Sequence, residues 1–237
     1  MLGSSSAGKP FVMTPSGGLE AVIWDFNGTI VDDLDHVVRS VNVQLARRGL
    51  LPLTLERYRE VFGFPVEAYY REIGFDLEAE SMADVSAEFF GMYVPGLKEC
   101  PLHDGVLDAL NRFRESGVRQ FVLSAMEERL LLNTIEHLRI ADFFDAVYGL
   151  AHLEADSKLS RGRELVANHR VRPETALLIG DTDHDGEVAD ALGVSAVLIA
   201  QGHQREEKLR EAGHPVYRSV RDWLRAHRVG DADRTNP

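Results

Sequence analysis

The sequence predicts an α/β fold: a Rossmann-like, mostly parallel sheet with helices on both faces, plus an inserted helical domain. Three observations carry this. Short apolar runs alternate with stretches of helical spacing along most of the chain, the pattern of a sheet wrapped on both sides. Three of those runs end in polar residues suited to chemistry, Asp25, Ser124 and Asp181, and open parallel sheets gather their sites beyond the carboxyl ends of the strands. Between the first of these runs and the second, residues 54–98 are helical in spacing, broken by Gly63, Pro65, Gly74 and Gly91, and never alternate like a strand.

The elements follow in order. Ala21, Val22, Ile23 and Trp24 suit a buried strand and run straight into Asp25. Gly28 and Thr29 make the exit tight, so that backbone N–H groups can face an anion. Val37, Val38, Val41 and Leu45 recur at helical spacing after Leu34, with Gly49 as the stop and Asp32 and Asp33 as caps. Pro101 and Gly105 open a helix over about 103–117. Residues 119–123 read as a short strand ending at Ser124, and 127–138 as a helix whose acidic start suits the positive end of its dipole. Residues 145–149 read as a strand, with Lys158 in the polar loop beyond it and a helix near 160–169. Residues 176–179 form a strand that ends in GDTDHDGEVADALGV. A strand over 195–200, a helix over 205–213, an edge strand at Val216 and Tyr217 and a helix through Trp223 complete the chain.

The domain division expected from this is a core of residues 19–33 and 99–228, a helical insert over 34–98, a loose lead-in over 1–18 and a loose tail over 229–237. The lead-in is rich in Gly, Ser and Pro, and its apolar stretches are too short for a signal-peptide core. A hydrophobic fraction of 44% suits a globular protein with a buried core, and a net charge of −12 argues against nucleic-acid partners and anionic membranes. No apolar run approaches a membrane span. Cys100 is the single cysteine, so no intrachain disulfide forms, which suits the cytoplasm.

Asp25-Phe26-Asn27-Gly28-Thr29, then Ser124 closing FVLS, then Lys158, then Gly180-Asp181-Thr182-Asp183-His184-Asp185, stand in an order that resembles the haloacid dehalogenase-like hydrolases, from about residue 19 to 228. That family's first motif is usually DxDxT, its second a Ser or Thr, its third a Lys and its fourth GDxxxD. The resemblance implies an Mg²⁺-dependent, phosphoglycolate-phosphatase-like enzyme acting on a small phosphorylated metabolite through an aspartyl-phosphate on Asp25. Mg²⁺ prefers hard oxygen ligands. Asp25 and Asp181 are the expected direct ligands, joined by the backbone carbonyl of Asn27, with Asp185 at close range or through water. Gly28, Thr29, Ser124, Ala125 and Lys158 are expected to meet the phosphoryl group, with Ser124 hydrogen-bonding an oxygen and Lys158 neutralising charge. The insert matches the family's small helical cap, which closes over a site, excludes water and selects substrate. A capped single core can work as a monomer or weak homodimer.

Each residue also has a plainer reading. Ser124 alone is a strand end and Lys158 alone a solvated lysine, although no other lysine lies between Lys98 and Lys208. Asp183 reads as a turn former, and His184 and Glu187 as helix surface. Phe64, Tyr69, Tyr70 and Arg71 are candidates to meet substrate, with core packing as the stronger reading for the aromatics.

Asn27 departs from the family pattern, where an Asp protonates the leaving oxygen and later activates water. An amide cannot shuttle a proton, and general acid–base help is typically worth ~10²–10⁴ in rate. Either the leaving group needs little protonation, or another group such as His36 substitutes, or the protein mainly binds a phosphorylated ligand in a regulatory role. Ala125 follows Ser124 where many relatives place Asn. Sister activities fit less well. A phosphonate hydrolase needs a lysine in the insert, and residues 33–97 hold none. A metal-free dehalogenase has no use for Asp181 and Asp185, and a phosphosugar mutase needs an Asp at position 27.

Overall fold

The computed structural model of the chain describes residues 18–151 and 157–227. Most of the expected lead-in and the whole of the expected tail lie outside the described residues. Among them, six strands form one sheet in the order β3-β2-β1-β4-β5-β6, every pair parallel. The strands are β1 (Ala21–Trp24), β2 (Arg119–Glu127), β3 (Ala146–Leu150), β4 (Ala176–Gly180), β5 (Ser195–Ile199) and β6 (Val216–Tyr217). β1 is fully buried, and its side chains divide by alternation: Val22 and Trp24 join one apolar cluster, Ala21 and Ile23 the other. That two-sided burial is why the strands read as continuous apolar runs. Trp24 keeps its polar edge satisfied by donating from Nε1 to Gln120 Oε1 at 3.1 Å.

Between β1 and β2 run α1 (Leu34–Arg47), α2 (Leu55–Val61), α3 (Val66–Glu72) and α4 (Met82–Leu97). Thr54 and Ser81 cap α2 and α4 by accepting from Arg57 N and Asp84 N. α1 buries Val37, Val38, Val41 and Leu45, the stripe its spacing predicts. Gln44 ties it to α4 by donating to Val85 O at 2.8 Å. Tyr69 and Tyr70 are buried in the core beside Tyr58 and Phe75, as the plainer reading has it. Phe64 and Arg71 are exposed.

The remaining helices are α5 (Val106–Glu115), α6 (Glu128–His137), α7 (Lys158–Asn168), α8 (Asp183–Leu192), α9 (Glu206–Glu211) and α10 (Val220–Ala226). Three local expectations need correction. β2 does not stop at Ser124 but continues to Glu127, with its pairing to β3 shifting register after Leu123. Lys158 is not in a loop: it is the first residue of α7, behind a Ser157–Ser160 capping box. Asp33 precedes α1 but makes no side-chain cap, because its carboxylate is engaged elsewhere, and Asp32 bonds no helix N–H either, lying 3.8 Å from His103 Nδ1.

Candidate active site

β1 lies between β2 and β4, and the sheet order reverses there, so Asp25 and Asp181 emerge side by side at the topological switch point. Oxygens of Asp25, Asp181 and Asp185, all buried, come within 4.8 Å of one another. Lys158 Nζ donates to Asp25 Oδ1 and, at 2.5 Å, to Asp185 Oδ1. The lysine is 6% exposed, so the reading of a solvated surface residue is overturned.

The three carboxylates differ in support. Asp185 Oδ2 accepts from Asp181 N (3.2 Å), Thr182 N (3.0 Å) and Thr182 Oγ1 (2.7 Å). Burial works against its charge, but Lys158 and these donors hold the carboxyl below the usual range. It therefore closes the first turn of α8 and pairs with Lys158 at once. Asp25 shares Lys158 but among the described residues has only the Phe26 N–H besides, and burial pushes it up to about 6. Asp181 is pushed to about 8, by burial first and by the charges of Asp25 and Asp185, with His203 opposing. Burial also works against the charge on Lys158, but Asp185 and Asp25 hold it above the usual lysine range.

Asp181 accepts from Thr29 Oγ1 at 3.1 Å and from His203 N at 2.6 Å. Thr29 is fully buried, so it supports a carboxylate here and does not face the cleft. Gly28 N donates to Val31 O at 2.9 Å and Asp33 Oδ1 at 3.0 Å, so the expectation that it faces an anion is not met. What Gly28 supplies is clearance: a Cβ there, or at Gly202, would overlap Asp181 Oδ2. Buried, under-compensated hard oxygens with glycine walls fit a divalent cation. Ser124 is buried on β2, two residues past the Trp24–Val122 pair, and its Oγ accepts from Met126 N at 3.1 Å. Ala125 beside it is exposed.

A second cluster adjoins the first. Asn27 Nδ2 donates to Asp33 Oδ2 at 2.9 Å and to Tyr93 Oη at 2.7 Å. The Tyr93 hydroxyl donates to Asp33 Oδ2 at 2.5 Å, and His203 Nε2 lies 3.2 Å from Asp33 Oδ1. Burial opposes charge on both partners, but their mutual attraction prevails: Asp33 stays below the usual carboxylate range and His203 is raised to about 9. Tyr58 Oη meets His203 Nδ1 at 3.1 Å. His36 is not the residue placed against Asn27; it stacks on Tyr93 and its Nε2 lies 2.7 Å from Tyr93 O. Asp33, Tyr93 and His203 were not among the expected site residues. The rule about strand ends points to His203, which follows β5 in the run GHQ; nothing local marks Tyr93. Asp183 is a loop and helix-start residue, accepting from Gln204 Nε2 at 2.8 Å. His184 Nδ1 pairs with Glu187 at 3.0 Å on the surface, beneath the Phe64 ring at 4.8 Å.

A parallel sheet with an acidic triad and a buried lysine at its switch point defines a class of hydrolases that work on anionic groups. The chain matches the haloacid dehalogenase-like hydrolase family over residues 22–199 and belongs to it, as a phosphoglycolate-phosphatase-like phosphoric monoester hydrolase. It is 28% identical over 193 residues to phosphoglycolate phosphatase of Rhodobacter capsulatus, covering 78% of this chain and 86% of that one. It is 27% identical over 194 residues to a 5'-nucleotidase of Pseudomonas aeruginosa, covering 80% and 86%. Its fold is shared with a haloacid dehalogenase-like family hydrolase from Streptococcus pneumoniae, at a TM-score of 0.75 and 20% identity, over 88% of this chain and 98% of that one.

Proposed function

We propose that the protein is an Mg²⁺-dependent phosphatase of a small phosphorylated metabolite, with Asp25 as nucleophile. The observation that carries this is the buried Asp25–Asp181–Asp185 triad with Lys158 bonded across it. Asp25, Asp181 and the backbone carbonyl of Asn27 would hold the ion, with Asp185 close by. When bound, Mg²⁺ screens the negative charges that must approach one another. The protein's own groups do the rest. Lys158 aims Asp25 and offsets charge on the phosphoryl group, and Ser124 donates its hydroxyl proton to a phosphoryl oxygen. An Asp25 oxygen bonds to phosphorus as the bond to the leaving oxygen breaks, and water then displaces the Asp25 carboxylate from the aspartyl-phosphate, releasing phosphate.

Residues 34–98 act as a cap that excludes water and favours small substrates over proteins. Two sets of contacts support this. Tyr93 of α4 reaches Asn27, and Lys208 donates to Phe62 O at 2.7 Å across to the segment after α2. Among the described residues no helix is long and apolar enough to cross a membrane, and a cytoplasmic monomer or weak homodimer is the setting proposed.

The test is phosphate release from a metabolite panel with Mg²⁺, comparing wild type with Asp25→Asn. Release is expected only from the wild type, and equal release from both removes Asp25 from its role. Asn27 favours a second reading, a phosphate-ligand binder with a regulatory task on a dampened catalytic scaffold. Robust turnover of any metabolite disposes of it.

A further inference from the structure

Between Ala21 and Val31, Asn27 is the residue that is not buried, so it is the side chain through which the turn after Asp25 can meet a ligand. Its amide has a fixed polarity. Asp33 accepts from Asn27 Nδ2, the Tyr93 hydroxyl and Gly28 N, and faces His203 Nε2. A buried carboxylate with that many donors is an acceptor throughout, so the amide nitrogen of Asn27, and not its oxygen, must face it. The one hydroxyl proton of Tyr93 also points at Asp33, which leaves the Tyr93 oxygen to accept from Asn27 Nδ2 at 2.7 Å. Both amide protons are thereby engaged. Among the described residues Oδ1 receives no hydrogen bond, and it is the polar atom Asn27 has left for a ligand.

We propose that Asn27 gives the ligand a hydrogen-bond acceptor and no proton, so that the site turns over phosphoryl groups on weakly basic oxygens, namely aryl, enol and acyl phosphates, in preference to esters of alkyl alcohols. This rests on the reading of Asp25 as nucleophile. In the first step an Asp25 oxygen bonds to phosphorus and the bond from phosphorus to the leaving oxygen breaks. That oxygen keeps the electron pair and departs as a stable anion. In the second step a water, oriented by donating to Asn27 Oδ1, bonds to phosphorus as the aspartyl oxygen–phosphorus bond breaks. Asp25 is released as carboxylate, and the proton lost by the water ends on the released phosphate. An alkyl leaving group finds no acid at position 27, where both amide protons are engaged, and forfeits general-acid help worth ~10²–10⁴ in rate.

The carboxylate absent from position 27 sits instead at position 33. Placing Asp at 27 alone would set two carboxyl groups about as close as the present 2.9 Å pair, and one proton would be shared between them and not given to a ligand. Exchanging the two residues restores an amide–carboxylate pair with the roles reversed.

The experiment measures kcat/KM with Mg²⁺ for acetyl phosphate, p-nitrophenyl phosphate, phenyl phosphate and glycerol phosphate. It compares wild type, Asn27→Asp, the exchanged Asn27→Asp/Asp33→Asn and Asp25→Asn, with thermal unfolding as the check on folding. The wild type is expected to lose about 100-fold or more from the acyl and nitrophenyl compounds to the alkyl ester. Asn27→Asp alone is expected to gain less than about tenfold on the alkyl ester, and the exchange to gain more than the single change. Equal wild-type rates across the series overturn the proposal, as does a gain of about 100-fold or more in Asn27→Asp alone. If the exchanged protein does not fold, the wild-type series decides. Turnover that persists unchanged in Asp25→Asn removes the nucleophile, and this proposal with it, a result distinct from a flat series that Asp25→Asn abolishes.

Discussion

The backbone N–H of His203 donates to Asp181 Oδ2 at 2.6 Å, so a carboxylate at the end of β4 is held by the loop that follows β5. The same loop is gripped by α2. Arg59 donates to Ala200 O and, at 3.0 Å, to Gln204 O, while Tyr58 Oη meets the His203 ring. Asp181 is thus positioned by the helical insert as well as by the sheet.

Loosening that grip should be felt at the metal site. Arg59→Met keeps most of the aliphatic packing and removes both hydrogen bonds. Supporting residues around metal ligands typically contribute 10–100-fold in affinity or activity, so Mg²⁺ binding by calorimetry is expected to weaken by about tenfold. Tyr58→Phe removes a single hydrogen bond and should cost about 1 kcal/mol of stability in urea unfolding. Mg²⁺ affinity unchanged in Arg59→Met would show that the loop holds Asp181 unaided.

Gly202→Ala tests the clearance around Asp181 directly. The added Cβ would overlap both Asp181 Oδ2 and Gly28 O, neither of them the end of a flexible chain free to swing away. The expected outcome is a loss of about 1–3 kcal/mol in stability, typical of overpacking, with phosphate release falling below detection. Wild-type activity in this variant would mean that Asp181 need not occupy its observed place.

Lys158→Met removes the one cation that Asp25 and Asp185 share. Breaking a buried pair strands the remaining charge, which costs about 3–5 kcal/mol. Mg²⁺ should recover part of that loss, because it supplies positive charge to the same carboxylates. Activity should not return, since the phosphoryl group also loses its lysine. Urea unfolding with and without Mg²⁺ reads the first effect, and phosphate release the second.

How much of this is legible in the sequence follows from how each residue is marked. Asp25 and Asp181 are legible because each ends an apolar run that is buried on both faces. Lys158 is legible through motif order and not through its surroundings: nothing in SKLSRG says that its ammonium is buried between two carboxylates. Asp33 reads as a helix cap because it precedes α1, yet its carboxylate turns back to Asn27 and Tyr93. Caps and buried acceptors use the same residue types, and only the packing of α4 and the β5 loop against Asp33 decides between them. Gly28 and Thr29 carry the family's pattern, but the bond from Thr29 to Asp181 is tertiary and leaves no local trace, and the one from Gly28 to Asp33 depends on a carboxylate that reads locally as a cap.

The protonation of the triad gives the last prediction. Asp25 at about 6 and Asp181 at about 8 lie above the ~3.9 expected of Asp in the unfolded chain. The metal-free native state therefore keeps protons that the unfolded chain has released, and its stability falls as pH rises from about 4 to about 8. His203 adds in the same direction: raised to about 9, its contribution is complete below about 6.5 and fades as pH climbs through 9. Asp185 and Asp33 are lowered, so their contribution is already complete above about 4 and does not change over this window. A divalent cation competes with the protons on Asp25 and Asp181, and leaves the His203–Asp33 pair in place. The unfolding temperature without metal should fall between about pH 5 and pH 8, and the rise produced by Mg²⁺ should grow over the same range. Differential scanning calorimetry at several pH values, with Mg²⁺ and with EDTA, measures both. A metal-induced rise of equal size at both ends of the range would mean that the cation does not bind where those protons sit.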